Sequence, residues 1–134
     1  MSRVRLALGV LAVGLAVTAF ASAAATPPPK LVGTVGAGYT TLVGTVGPGF
    51  TITLMSNGKK VTALKAGKYL LVVEDKASIH NFVLEQESGG KFEKDLTTVP
   101  FMGTNVYSFT LAKGKYKYYC KPHESSMFGN FTVT

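Results

Sequence analysis

Past residue 50 the chain never sustains a helical repeat long enough to bury one face of a helix. It alternates and turns instead. Thr51-Ile52-Thr53-Leu54 alternates polar with apolar, Asn57-Gly58 has the composition of a two-residue hairpin turn, and residues 61–64 answer the first run. Tyr69-Leu70-Leu71-Val72-Val73 is an unbroken apolar run, suited to a strand covered on both faces. Residues 79–84 read as the next strand. Ser88-Gly89-Gly90 then opens a polar connection to Thr98, with room for a helical turn within 91–99. Residues 105–111 alternate, Lys113-Gly114 turns, and 115–120 and 128–134 read as a closing pair. About seven or eight short strands with turns between them predict an all-β fold, a Greek-key β-sandwich.

The 134 residues suffice for one such domain. Residues 1–25 read as an export signal: Arg3 and Arg5 lead an apolar run from Leu6 to Phe20, and Ala21-Ser22-Ala23 and Ala23-Ala24-Ala25 both offer small-residue cleavage sites. An uncleaved segment of that length would just reach the ~20 residues of a membrane anchor. Residues 26–41 read as a linker, opening with Pro27-Pro28-Pro29 in extended form. Residues 31–40 recur at 42–51. Two copies are too few for a solenoid, so the second copy is expected to supply the first strand of a domain spanning 42–134.

Beyond the signal there are twelve lysines, no arginine and seven acids. Lysine without arginine argues against nucleic acid or another phosphate partner, which favours the bidentate guanidinium. A positive balance of five suits solubility and the steering of a partner with an acidic docking surface. The single cysteine, Cys120, leaves the fold without an internal disulfide, and in an exported chain it suggests intermolecular pairing or a special thiol, with a small buried core residue as the plainer reading.

That cysteine stands in Cys120-Lys121-Pro122-His123-Glu124-Ser125-Ser126-Met127, and the one other histidine is His80. In 115–120 the lysines take alternate positions and belong in water, so Cys120 faces inward with Tyr116 and Tyr118. In 79–84, His80 shares its face with Phe82 and Leu84. A lone interior histidine is more often a hydrogen-bonded core residue than a ligand, a methionine is more often packing, and a bare Cys-x-x-His is a weak motif. Here the donors are all the Cys and His of the chain, Cys120 and His80 both point inward, and an export signal and an all-β background go with them. One thiolate, two imidazoles and a thioether form the trigonal set, with a weak axial sulfur, that binds copper for electron transfer. Zinc would accept the same Cys and His donors, but zinc catalysis needs a nearby carboxylate, and only Glu124 is local. Pro122 stiffens the loop and removes an N–H that could bond the Cys120 sulfur.

The segments His80-Asn81-Phe82 and Gly114-Lys115-Tyr116-Lys117-Tyr118-Tyr119-Cys120-Lys121-Pro122-His123, continuing through Met127-Phe128-Gly129, resemble the cupredoxins of the plastocyanin, pseudoazurin and amicyanin kind. The resemblance covers residues 43–134. It implies one copper ion, Cu(I)/Cu(II), held by His80, Cys120, His123 and Met127, with Asn81 behind the ligands tying the two histidine-bearing segments together and Tyr116 packing a Greek-key corner. Three residues separate His123 from Met127, where plastocyanin and pseudoazurin have four and amicyanin has two. The axial position is therefore the least defined, and Met102 in Pro100-Phe101-Met102-Gly103 competes for it.

The resulting expectation is a monomeric, exported, periplasmic or extracellular blue copper protein. It is no enzyme, and it passes single electrons between redox protein partners. A copper scavenging or delivery protein on the same fold is the alternative.

Overall fold

The computed structural model describes residues 38–134. The export signal, the proline tether and most of the first repeat copy lie outside the described residues. Ten strands follow in order: β1 (Thr40–Val46), β2 (Ile52–Ser56), β3 (Lys59–Lys60), β4 (Ala63–Leu64), β5 (Gly67–Asp75), β6 (Val83–Ser88), β7 (Phe92–Asp95), β8 (Gly103–Leu111), β9 (Gly114–Tyr119) and β10 (Phe128–Val133). A short 3-10 turn, Lys121–His123, separates the last two. Among the described residues no helix is long and apolar enough to cross a membrane.

The strands form two five-stranded sheets, β3-β2-β1-β5-β8 and β4-β10-β9-β6-β7. Asn57-Gly58 makes the expected hairpin, with φ of 49° and 75° joining Met55↔Lys60 and Ser56↔Lys59. Both central residues need positive φ in that turn, which is why Asn and Gly occupy it. β5 lies in the interior of its sheet, parallel to β1 and antiparallel to β8, as its apolar run requires. The core lies between the sheets: Leu42, Val46, Leu54, Leu71 and Val73 from one face meet Leu84, Tyr116, Tyr118, Phe131 and Val133 from the other. Gly44 lets this happen, because a Cβ there would sit 2.8 Å from the Phe82 ring. The Tyr116 hydroxyl donates to the Ala112 carbonyl at 3.0 Å, fastening the turn into β9.

Three local expectations are corrected. The strand expected over 79–84 begins only at Val83. Before it the backbone bonds elsewhere: His80 N–H donates to the Ala77 carbonyl, Phe82 N–H to the Thr97 hydroxyl, and the Phe82 carbonyl accepts from Leu96 and Thr97. With no ladder there, alternation fails, and residues 80–84 are all buried. The helical turn allowed within 91–99 is a strand, β7, an edge that pairs with β6 from Val83↔Asp95 to Gln86↔Phe92. Its polar sequence suits an exposed edge and hides its strand character. Finally, β9 ends at Tyr119, so Cys120 lies one residue beyond the strand, at the N-cap of the 3-10 turn.

Candidate metal centre

The site lies where β5, β6, β9 and β10 end or begin. Cys120 leaves β9 and is fully buried. Its chain reverses at once: Cys120 N–H donates to the Met127 carbonyl at 3.0 Å, and His123 N–H returns to the Cys120 carbonyl at 3.0 Å. Met127 N–H closes on the His123 carbonyl at 2.8 Å. Pro122 near the start of the 3-10 turn fits its fixed φ and needs no donor there. His123 is thereby held above Cys120, half-buried, while His80 comes from the β5–β6 connection and is fully buried.

The Nδ1 atoms of His80 and His123 lie 3.0 Å apart, and Cys120 Sγ lies 3.7 Å from the first and 3.6 Å from the second. A triangle with these sides has its centre about 2.0 Å from every corner. Transition-metal bonds to imidazole run about 2.0–2.1 Å and to thiolate about 2.3 Å in protein zinc sites. The three donors therefore already stand around a space that one ion fits. Among the described residues, this is the one cluster of His, Cys and acidic groups close enough to share an ion.

The surroundings hold the triangle still. Asn81 Oδ1 accepts the Lys121 N–H at 2.8 Å, joining the His80 segment to the Cys120 loop. Lys121 Nζ reaches back to Glu93 at 2.9 Å and Asp95 at 2.8 Å on edge strand β7, and the Tyr119 hydroxyl donates to Glu93 at 3.1 Å. Burial, then the hydrogen bond to Glu93, pushes the Tyr119 phenol up to about 12. The hydrogen bonds from Lys121 and then Tyr119 hold the Glu93 carboxyl below its ordinary range. Phe50 meets both histidine rings edge to face, 5.4 Å from His80 and 4.9 Å from His123 between centroids, and is itself 61% exposed.

Of the four expected ligands, three come together through their donor atoms, and Met127 is fully buried with its backbone bonded to both Cys120 and His123. Met102 is 59% exposed. Phe50 was not legible as a site residue: it stands in the glycine-rich repeat, and only the fold of the β1–β2 connection brings it over the imidazoles. The anchoring of Lys121 by Glu93 and Asp95 was equally hidden, since a polar connection carries no sign of its destination.

The model of the plastocyanin/azurin family of copper binding proteins matches residues 45–134. The chain belongs to that family. The cupredoxin fold agrees with solved structures of rusticyanin. Reduced rusticyanin at 1.9 Å matches with 20% identity and a TM-score of 0.50 over 70% of this chain and 78% of that one. A methionine-to-glutamine mutant of rusticyanin at 1.5 Å matches with 19% identity and a TM-score of 0.50 over 70% and 76%. Rusticyanin from Thiobacillus ferrooxidans at 1.27 Å gives 21%, 0.46, 70% and 76%. No sequence among curated proteins matches the chain. For this cupredoxin the cofactor is one copper ion, and the thiolate–imidazole donor set suits it: soft sulfur for the cuprous state, imidazole for the cupric.

Proposed function

We propose that this cupredoxin is an exported type 1 copper protein that carries single electrons between redox proteins, with His80, Cys120 and His123 as equatorial ligands and Met127 as a weak axial one. The observation that carries the reading is the His80–Cys120–His123 triangle, whose sides match those a bound ion would impose. When bound, copper supplies one-electron chemistry. What the protein contributes is constancy. His80 is set in one connection, Cys120 and His123 in another, and Asn81 ties the two, so the donors need move little as the charge on the ion changes. Little rearrangement means a low barrier to electron exchange.

Met127 is favoured over Met102 because it is buried beside the loop, whereas Met102 lies in solvent. No catalytic role is proposed: an ion held by His80, Cys120, His123 and Met127 would have its positions taken by protein ligands. The half-buried His123 and exposed Phe50 form the face through which an electron would pass. Lysines elsewhere would favour a partner with an acidic surface. Export rests on residues 1–25, and a monomer remains the expected state.

The test is a visible absorption spectrum of the copper-loaded protein, followed by voltammetry. An intense thiolate-to-copper band with a reversible one-electron wave supports the reading. A band absent from correctly folded protein overturns it. A band with no reversible wave, and copper passed readily to an acceptor protein, would instead identify a copper delivery protein.

A further inference from the structure

Two buried side-chain atoms among the described residues find no hydrogen-bond partner: Asp75 Oδ2 and His80 Nε2. They belong to the same connection. Asp75 closes β5, and its other oxygen, Oδ1, accepts the Ala77 N–H at 3.2 Å. The Ala77 carbonyl in turn accepts the His80 N–H at 3.1 Å. Asp75 is 3% exposed and His80 is 0% exposed.

The direction of Asp75 follows from strand alternation. Tyr69, Leu71 and Val73 on β5 face the core, and Asp75 is the next residue on that side. A carboxyl at an inward core position is costly unless something there bonds it. Its strand neighbours are Val46 and Gly103, neither with a polar side chain to offer. The connection above is shut: Lys76 N–H donates to the Val46 carbonyl at 2.9 Å, and a Cβ on Gly47 would stand 2.9 Å from Ala77 Cβ. Phe50 lies across the His80 ring.

The tautomer of His80 follows from the triangle. Its Nδ1 faces His123 and Cys120, so Nδ1 is the atom that meets copper. A neutral imidazole bound through Nδ1 must carry its proton on Nε2. The free nitrogen is then a donor, and the free oxygen of Asp75 is an acceptor. Metal-binding histidines regularly give their outer N–H to a carboxylate, carbonyl or water, which fixes the ring and raises its basicity.

We propose that Asp75 is the positioning residue for His80, its Oδ2 taking the Nε2–H across a single water. The inference rests on the copper reading above. Asp75 would orient the imidazole and place a negative charge behind it. Both effects favour the cupric ion, which carries one more positive charge than the cuprous.

The experiment compares wild type, Asp75→Asn and Asp75→Leu, each loaded with copper. Voltammetry reads the potential, and nitrogen-edited proton NMR of the reduced, diamagnetic proteins reads exchange of the His80 Nε2 proton. Asp75→Asn keeps the shape and an oxygen acceptor but removes the charge. Its Cu(II)/Cu(I) equilibrium is expected to shift at least tenfold toward Cu(I), a rise of 59 mV for one electron. Asp75→Leu removes the acceptor as well, so exchange of the His80 proton should quicken at least tenfold. Should the leucine variant fail to fold, the nearly isosteric asparagine variant decides. A normal thiolate band in all folded variants, with potential and proton exchange unchanged, overturns the role of Asp75 and leaves the copper reading standing. Wild-type protein that forms no thiolate band overturns both.

Discussion

Asn81 Oδ1 accepts the backbone N–H of Lys121 at 2.8 Å, so the residue after one histidine of the triangle holds the residue after its cysteine. Neither partner lies in a regular strand. This one side chain replaces a ladder bond between the two segments. Asn81→Leu keeps the branched shape but leaves the Lys121 N–H without its acceptor. Losing a buried partner costs about 1–3 kcal/mol. At roughly 4–8 °C per kcal/mol for a domain of this size, thermal unfolding should come at least several degrees earlier. Copper-loaded variant protein should also show a broadened or shifted thiolate band, because the two ligand segments are no longer tied. A variant equal to wild type in melting temperature and spectrum would remove Asn81 from this role.

The sulfur of Cys120 is the donor that sets the site apart from a pair of histidines. Cys120→Ser should abolish the intense visible band and leave a pale or empty site, read by absorption on titration with cupric ion. The hydroxyl is a poorer, harder donor and does not supply the thiolate charge transfer. An unchanged spectrum would refute the assignment of Cys120 as a ligand.

Met127 and Met102 make opposite predictions. Met127 is fully buried under the ligand loop, whereas Met102 is 59% exposed. Met127→Gln places a harder oxygen donor on the axis and should favour Cu(II) by tenfold or more, a fall of about 59 mV or greater with copper still bound. Met102→Gln should leave the potential close to wild type. Voltammetry of the two variants decides, and a larger shift for Met102→Gln would reverse the axial assignment.

The Tyr119 phenol, pushed up to about 12 by burial and then by Glu93, makes the domain sensitive to alkali. In the unfolded chain tyrosine ionises near about 10, whereas the folded protein still holds the proton, so between those values the folded state binds more protons. Stability is therefore complete below pH ~10 and declines as pH rises toward ~12, by at most about 1.4 kcal/mol per unit from this group. Denaturation midpoints at pH 9 and 11.5 should differ, and Tyr119→Phe should shrink the difference. Burial also raises Tyr116 and Tyr118, so the slope should not vanish entirely. An identical slope in Tyr119→Phe would show that Tyr119 ionises as in the unfolded chain.

Gly44→Ala tests the packing behind the site. The added Cβ would stand 2.8 Å from the Phe82 ring, which is fully buried two residues from His80. Overpacking of this kind costs about 1–3 kcal/mol. A measurable fall in unfolding free energy is expected, and wild-type stability would mean that Phe82 moves aside freely.

The all-β class, the Asn57-Gly58 hairpin, the buried run of β5 and the inward face of β9 were legible in the sequence because each rests on local chemistry. Turn residues impose their own φ, and alternation reports one covered face within a few residues. The donor set was legible for a different reason: Cys and His are rare here, and all of them fall in two short segments. His80 was rightly turned inward, but not by strand parity, since it precedes β6 and Asn81 and Phe82 after it are both buried. Its backbone follows bonds to Ala77, and the residues after it follow bonds to Thr97, Leu96 and Lys121, between 3 and 40 positions away. Periodicity within a segment contains nothing about such partners. The same holds for Phe50 over the imidazoles and for Lys121 on Glu93 and Asp95. Local composition determined which donors the chain possesses and in which two short segments they fall. Only the closing of two sheets, with loops packed between their ends, decided which atoms meet, because contacts distant in sequence are selected by packing of the whole core.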